Sequence, residues 1–201
     1  MRARLALQVS ELSYEHREVA LKAKPAEMLA ASPKGTVPVL CLPKGEVLEQ
    51  SLDIMLWALK QNDPQSWLAS SASDLDEQLA LIKQCDGDFK HHLDRYKYPN
   101  RYQLTDGLSD RQAGASFLAS LNQRLESQKF LTGDNWGLAD AAIAPFVRQF
   151  AHTDPEWFAA QPWGKLLAWL NEFENSTPYQ QAMHKYKVWH PDAKPVAYPA
   201  A

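Results

Sequence analysis

Two residue pairs carry the clearest chemistry in this chain: Val37-Pro38 in "SPKGTVPVLCL" and Gln50-Ser51 in "GEVLEQSLDIMLWAL". Pro38 has no N–H, so inside a strand it belongs at an edge, a bulge or an end, or it joins through a cis bond. Only about 5–6% of X-Pro bonds in folded proteins are cis, so the dipeptide alone favours the edge position. Ser51 opens a helical run and is expected as its cap. There a hydroxyl and free backbone N–H groups at the positive end of the helix make an anion site.

Other reactive side chains form weaker patterns. Cys41 and Cys85 are the only cysteines, too few for the disulfide framework of a small secreted domain, and read as reduced, packed thiols. Cys41 lies three residues after Pro38 in a strand interior, which disfavours it as a nucleophile. His91-His92 follows Cys85 by six and seven residues. No second His/Cys group stands at a zinc-like spacing, so no metal site is expected. Trp136, Trp157, Trp163, Trp169 and Trp189 read mainly as core aromatics.

The elements that must hold these residues divide near residue 70. Before it, helix is expected over Met1–Glu11, a polar strand over Tyr14–Leu21 and a short helix over Pro25–Ala31. The strands Val37–Leu42 and Glu46–Leu48 follow, then a helix over Ser51–Lys60. "QNDPQSWLASSAS" has the composition of a connector. After it the pattern is helical, with segments expected at 74–96, 109–128, 138–151, 162–174 and 178–186, and "TDPEW" read as a turn. The prolines after Trp189 predict an irregular surface run.

Composition excludes several function classes. The 201 residues are 45% hydrophobic and 22% charged, with a formal net charge of −3. Such a chain can form two small cores, and it has no basic field for nucleic acid or an anionic membrane. The N-terminus lacks the apolar run and cleavage site of a secretory signal, and no stretch of eighteen apolar residues occurs, so a cytoplasmic location is expected.

Three segments in order resemble the glutathione transferase superfamily. "PAEMLAASPKGTVPVL" is similar to the region between its second and third strands. "VLEQSLDIMLWAL" resembles its strand, glutathione-binding turn and third helix. "FLTGDNWGLADAAIAPFVRQF" resembles its "G-D-x-x-S-x-A-D-x-x-x-x-P" signature. The resemblance implies an α/β thioredoxin-like first domain and an all-α second domain. With the pattern along the chain, this sets the expected domain bounds at 1–62, a linker at 63–73, a helical domain at 74–188 and an irregular tail at 189–201.

It also implies a site and a reaction. Glutathione is an extended tripeptide with a carboxylate at each end, so its site needs main-chain pairing and anion-binding ends. The resemblance gives the first to the backbone of Val37, beside a cis Pro38. It gives the γ-glutamyl carboxylate to Gln50 and Ser51, and the glycyl carboxylate to Lys34. Many relatives carry an acidic residue where Gln50 stands, and others carry Gln-Ser. Glutathione is the implied co-substrate, with an electrophile or disulfide as the second substrate and a possible homodimer as the assembly. A non-catalytic binding or interaction module is the alternative.

Two departures matter. "MRARLALQ" resembles the family's first helix, so the expectation is that the inner first strand and its Ser, Tyr or Cys nucleophile are missing from this chain. The expected explanation is a start assigned too late, ahead of a genuine short form whose sheet is rearranged or completed by another chain; without that strand its two neighbours would be unpaired, and the catalytic residue is unassigned. In the second domain Gly137 replaces the usual Ser or Thr cap, so Asp140 is expected to cap its helix alone, a folding role.

Overall fold

The computed structural model describes residues 1–69 and 71–198. The chain separates into two compact units: unit 1 holds Met1–Gln65 together with the chain from Thr177 onward, and unit 2 holds Ser66–Ser176.

Unit 1 begins with α1 (Arg2–Val9), which packs on α3 (Ser51–Gln61). Leu5 and Ala6 of α1, and Ile54, Met55 and Ala58 of α3, are all buried, as expected when two apolar stripes at helical spacing face each other. The Asn62 side chain donates to the Ser10 carbonyl at 3.2 Å and ties the ends of these helices together. Between them come β1 (Tyr14–His16), α2 (Ala26–Ala31), β2 (Leu40–Cys41) and β3 (Val47–Leu48).

The strands are shorter than the sequence pattern predicts, because few of their residues find a partner. β2 and β3 pair antiparallel, Leu40 opposite Leu48 and Cys41 opposite Val47. The ladder begins two residues after Pro38, which has no donor to give it. β1 does not join this hairpin. Its partner is β4 (Val196–Tyr198), antiparallel, with Tyr14 opposite Tyr198 and His16 opposite Val196. The segment after Trp189, expected to be irregular, therefore contributes a strand, and Tyr198 is buried. The preceding helix α10 (Thr177–Ala182) packs on α1.

Unit 2 is helical. It runs through α4 (Ala72–Gln84), α5 (Lys90–Lys97), α6 (Leu108–Ser127), α7 (Leu138–Ala151), α8 (Pro155–Ala159) and α9 (Gly164–Glu174). The single helix expected over 74–96 is interrupted by a wider π-helical turn at Cys85–Phe89. Gly87 there takes φ −87° and ψ −109°, outside the helical region, which costs a residue without a Cβ little. Helix α8 replaces the expected turn. Asp154 accepts from the Trp157 N–H at 3.1 Å and Pro155 takes a first-turn position, a start signal the sequence did contain. Gly107 ahead of α6 is required by packing, since a Cβ there would lie 2.5 Å from the Tyr96 backbone.

Helix α7 is the centre of unit 2. From Leu138 to Pro145 every residue is buried, as expected for a helix apolar on all sides. Among the described residues no helix is long and apolar enough to cross a membrane.

Candidate functional site

The residues singled out in unit 1 lie on one continuous stretch, Ser32 to Asp53. A turn at Ser32–Gly35 is closed by the Gly35 N–H donating to the Ser32 carbonyl at 2.9 Å, with Gly35 at φ +60°. Val37 follows, 48% exposed and outside the β2–β3 ladder, and its bond to Pro38 is cis. The hairpin then reverses the chain through Gly45 (φ +88°) and delivers Glu49, Gln50 and Ser51 to the start of α3.

At that helix start the cap is Gln50 and not Ser51. Gln50 is extended (φ −106°, ψ 133°), its carbonyl accepts from the Ile54 N–H at 3.0 Å, and its side chain makes no capping bond. Ser51 is the first helical residue. The N–H groups of Ser51, Leu52 and Asp53 therefore have no intrahelical acceptor, and they sit where the partial positive charge of the helix concentrates. Such an end can bind a carboxylate, although Asp53 in the same turn competes for the same positive end.

Lys34 has an intramolecular partner. Its Nζ lies 3.1 Å from Glu49 Oε2, and the Ser32 hydroxyl donates to Glu49 Oε1. The Ser32 hydroxyl, followed by the Lys34 ammonium, holds the Glu49 carboxyl below its ordinary range. Sequence reasoning assigned Glu49 no role. The available signal was an acidic residue two positions before Ser51, within side-chain reach of a turn cation once the hairpin folds back. The structure thus joins Lys34 to the helix start through Glu49.

The other sequence candidates fall in unit 2. Asp140 is fully buried and serves three donors. Its Oδ2 accepts from the Gly137 N–H at 3.1 Å, and its Oδ1 accepts from the Leu131 N–H at 2.9 Å and from the Trp169 indole N–H at 2.8 Å. The capping bond to Gly137 was expected, whereas the Leu131 and Trp169 bonds come only from packing. Burial pushes the Asp140 carboxyl up to about 6, against the opposing pull of these donors.

His91, His92 and Asp110 place one potential metal-ligand atom each within 4.8 Å of one another. Asp110 is already satisfied: His92 Nδ1 lies 2.8 Å from its Oδ1, and the Arg95 Nε–H reaches both oxygens at 3.0 and 3.1 Å. Burial raises the Asp110 carboxyl, but the His92 and Arg95 hydrogen bonds outweigh it and hold the group below its ordinary value. This is the chemistry of an ion-pair cluster between α5 and α6. Trp163 and Trp169 are buried, and Trp136 stacks on Trp169 and Phe173 with centroids 5.9 and 5.5 Å apart, a packing role.

Comparison with known proteins agrees with this layout. Residues 1–67 match the family model of the glutathione S-transferase N-terminal domain, and residues 109–172 match that of the glutathione S-transferase C-terminal domain. A probable glutathione S-transferase, MSR-1, of Nicotiana plumbaginifolia is 23% identical over 197 residues, covering 94% of this chain and 86% of the relative. A possible glutathione S-transferase from Rhodopseudomonas palustris superposes with a TM-score of 0.76 at 18% identity, covering 94% of this chain and 87% of that one. A glutathione transferase family member from Pseudomonas fluorescens, solved with two glutathione molecules bound, gives 0.74 at 17% identity, with 89% and 85% covered.

Proposed function

Because the chain belongs to the glutathione S-transferase superfamily, we propose that it binds glutathione in unit 1 and transfers it to an electrophile, or uses it in thiol exchange with a disulfide. The observation that carries this reading is the ordered match to both domain models, one in each unit. The exposed backbone at Val37 is the element offered to the cysteinyl residue of the tripeptide, as an added strand would be. The free N–H groups of the first turn of α3, with the Ser51 hydroxyl and the Gln50 side chain beside them, take the γ-glutamyl carboxylate. Lys34 meets the glycyl carboxylate by exchanging its Glu49 partner for the ligand. A cytoplasmic location and a homodimer fit this reading.

The attacking species in either reaction is the thiolate, so turnover requires a group that lowers the thiol pKa towards neutrality. None of the residues assembled at the start of α3 has that character, so binding is the sharper test of the site. Calorimetry with reduced glutathione is expected to give saturable binding. Ser51→Ala should weaken it roughly ten- to hundredfold, the equivalent of losing one charge-assisted hydrogen bond. Absence of binding to the folded protein would reject the site, and an unchanged affinity in the variant would reject the role of Ser51. Binding without conjugation of a general electrophile or reduction of a mixed disulfide would favour the non-catalytic module.

A further inference from the structure

The chain beyond α10 lies along β1 and is held there by a compact charged and aromatic cluster. Arg4 Nη1 donates to the carbonyls of Ala182 and His184 at 3.1 and 3.2 Å. Arg4 Nη2 donates to the Glu18 carboxylate and points at His16 Nε2, 3.1 Å away. The His16 ring packs on Tyr186 with centroids 4.2 Å apart. Further on, the Trp189 N–H donates to the Glu18 carbonyl at 2.9 Å, and the Arg17 guanidinium lies 4.6 Å from the Trp189 ring centroid. The last turn of contact is β4, where the Tyr198 ring sits 4.9 Å from Tyr14 and its hydroxyl donates to Gln8 Oε1 at 2.9 Å.

One atom in this cluster has two incompatible roles. His16 Nε2 is 3.1 Å from Arg4 Nη2, which can only donate, and 3.3 Å from Glu18 Oε2, which as a carboxylate can only accept. A neutral imidazole with its proton on Nδ1 accepts from Arg4. A protonated imidazole can only donate to Glu18, and then stands in hydrogen-bond range of a second cation whose one carboxylate partner it must share.

We propose that residues Tyr186–Tyr198 are a strap latched on β1 through Arg4, His16 and Glu18, closed while His16 is neutral and released when His16 is protonated, uncovering the edge of β1 and the ring of Tyr14. Burial, then the Arg4 charge, depress the His16 pKa, while Glu18 opposes them. The closed strap is thus stable above the ordinary imidazole pKa and loses that stability as pH falls through the lowered value.

Glu18 and the rings of Tyr14, Tyr186 and Tyr198 face His16, and other titratable groups lie beside the cluster. The Met1 amine is lowered to about 6 by burial and by the Arg4 and Arg2 charges. Glu18 is raised by burial but held low overall by His16 and Arg4. His184 packs edge-on against Tyr186 at 4.6 Å. Tyr14 and Tyr198 are pushed up by burial and stay neutral throughout this range.

The test is hydrogen exchange of the whole chain at pH 7.5 and pH 5, corrected for intrinsic rates. The Trp189 amide and those of Val196–Tyr198 are expected to lose at least tenfold protection at the lower pH, while α1 and α3 keep theirs. His16→Gln retains a neutral acceptor for Arg4 and should hold the strap closed at both values. Equal protection of the wild-type strap at the two pH values overturns the proposal, and so does the same loss in His16→Gln, which would assign the effect to another group. A proton titration of His16 in the unmodified protein gives a second reading that needs no variant. Protonation of His16 with strap protection intact overturns the latch as well.

Discussion

Units 1 and 2 draw the partners of their polar groups from different distances along the chain. In unit 2 the fully buried carboxylate of Asp140 sits at the start of the central helix with three donors aimed at it, all from within the unit. In unit 1 the polar contacts are spread over pieces far apart in sequence. Arg4 reaches Ala182 and His184, Gln8 reaches Gln181 and Tyr198, and β1 pairs with β4. The lesson is that helical periodicity can close a core from neighbouring segments, whereas two-stranded ladders are marginal and need whatever strand or helix the rest of the chain can supply.

The largest test of this contrast is Asp140→Ala. It leaves two backbone N–H groups and the Trp169 indole N–H buried without an acceptor, so the cost should be about 3–5 kcal/mol, well beyond the loss of a helix cap. Urea unfolding followed by tryptophan fluorescence measures it. A cost below about 1 kcal/mol would mean that unit 2 does not depend on this network.

The corresponding change in unit 1 is Tyr198→Ala. Removing this buried ring should cost about 2 kcal/mol, and the loss should be local. Exchange protection should fall in β1 and β4 and stay unchanged in α6, α7 and α9. Loss of protection in all of these helices would contradict the division into two independently closed cores.

An effect of pH also separates the units. Asp140 has a folded pKa of about 6, above its ordinary 3.8, so the folded state holds the extra proton. Its contribution to stability is complete below about pH 4 and is lost as pH rises through about 6, at no more than about 1.4 kcal/mol per pH unit. Subtracting the profile of Asp140→Asn from that of the wild type isolates this slope, and a flat difference between pH 4 and 7 would refute the shift. The latch in unit 1 runs in the opposite direction, losing stability on acidification.

The smallest effect is expected at Lys34. It is largely exposed and solvent screens its pair with Glu49, so Lys34→Ala should leave the melting temperature nearly unchanged. A large loss of stability would make the pair structural and remove Lys34 from the site.

Residue pattern alone determined a good deal. The 3.6-residue spacing of apolar side chains located α1, α3, α6 and α7 to within a residue or two, and Asp140 three positions after Gly137 announced a side-chain cap. Three motif segments in order indicated the family and its α/β-then-helical layout. These features are local: a helix bonds within itself, and a cap reaches three residues.

Tertiary structure alone decided the rest. Pairing of β1 with a strand 180 residues away cannot be read from either segment, because a short polar strand carries no address for its partner. The Leu131 and Trp169 bonds to Asp140 depend on where other segments come to rest around α7. The capture of Lys34 by Glu49 depends on a hairpin folding back. At His16 the sequence offers only an ordinary histidine in a polar strand; the contest between Arg4 and Glu18 for one ring nitrogen exists only once α1, β1 and the returning chain meet.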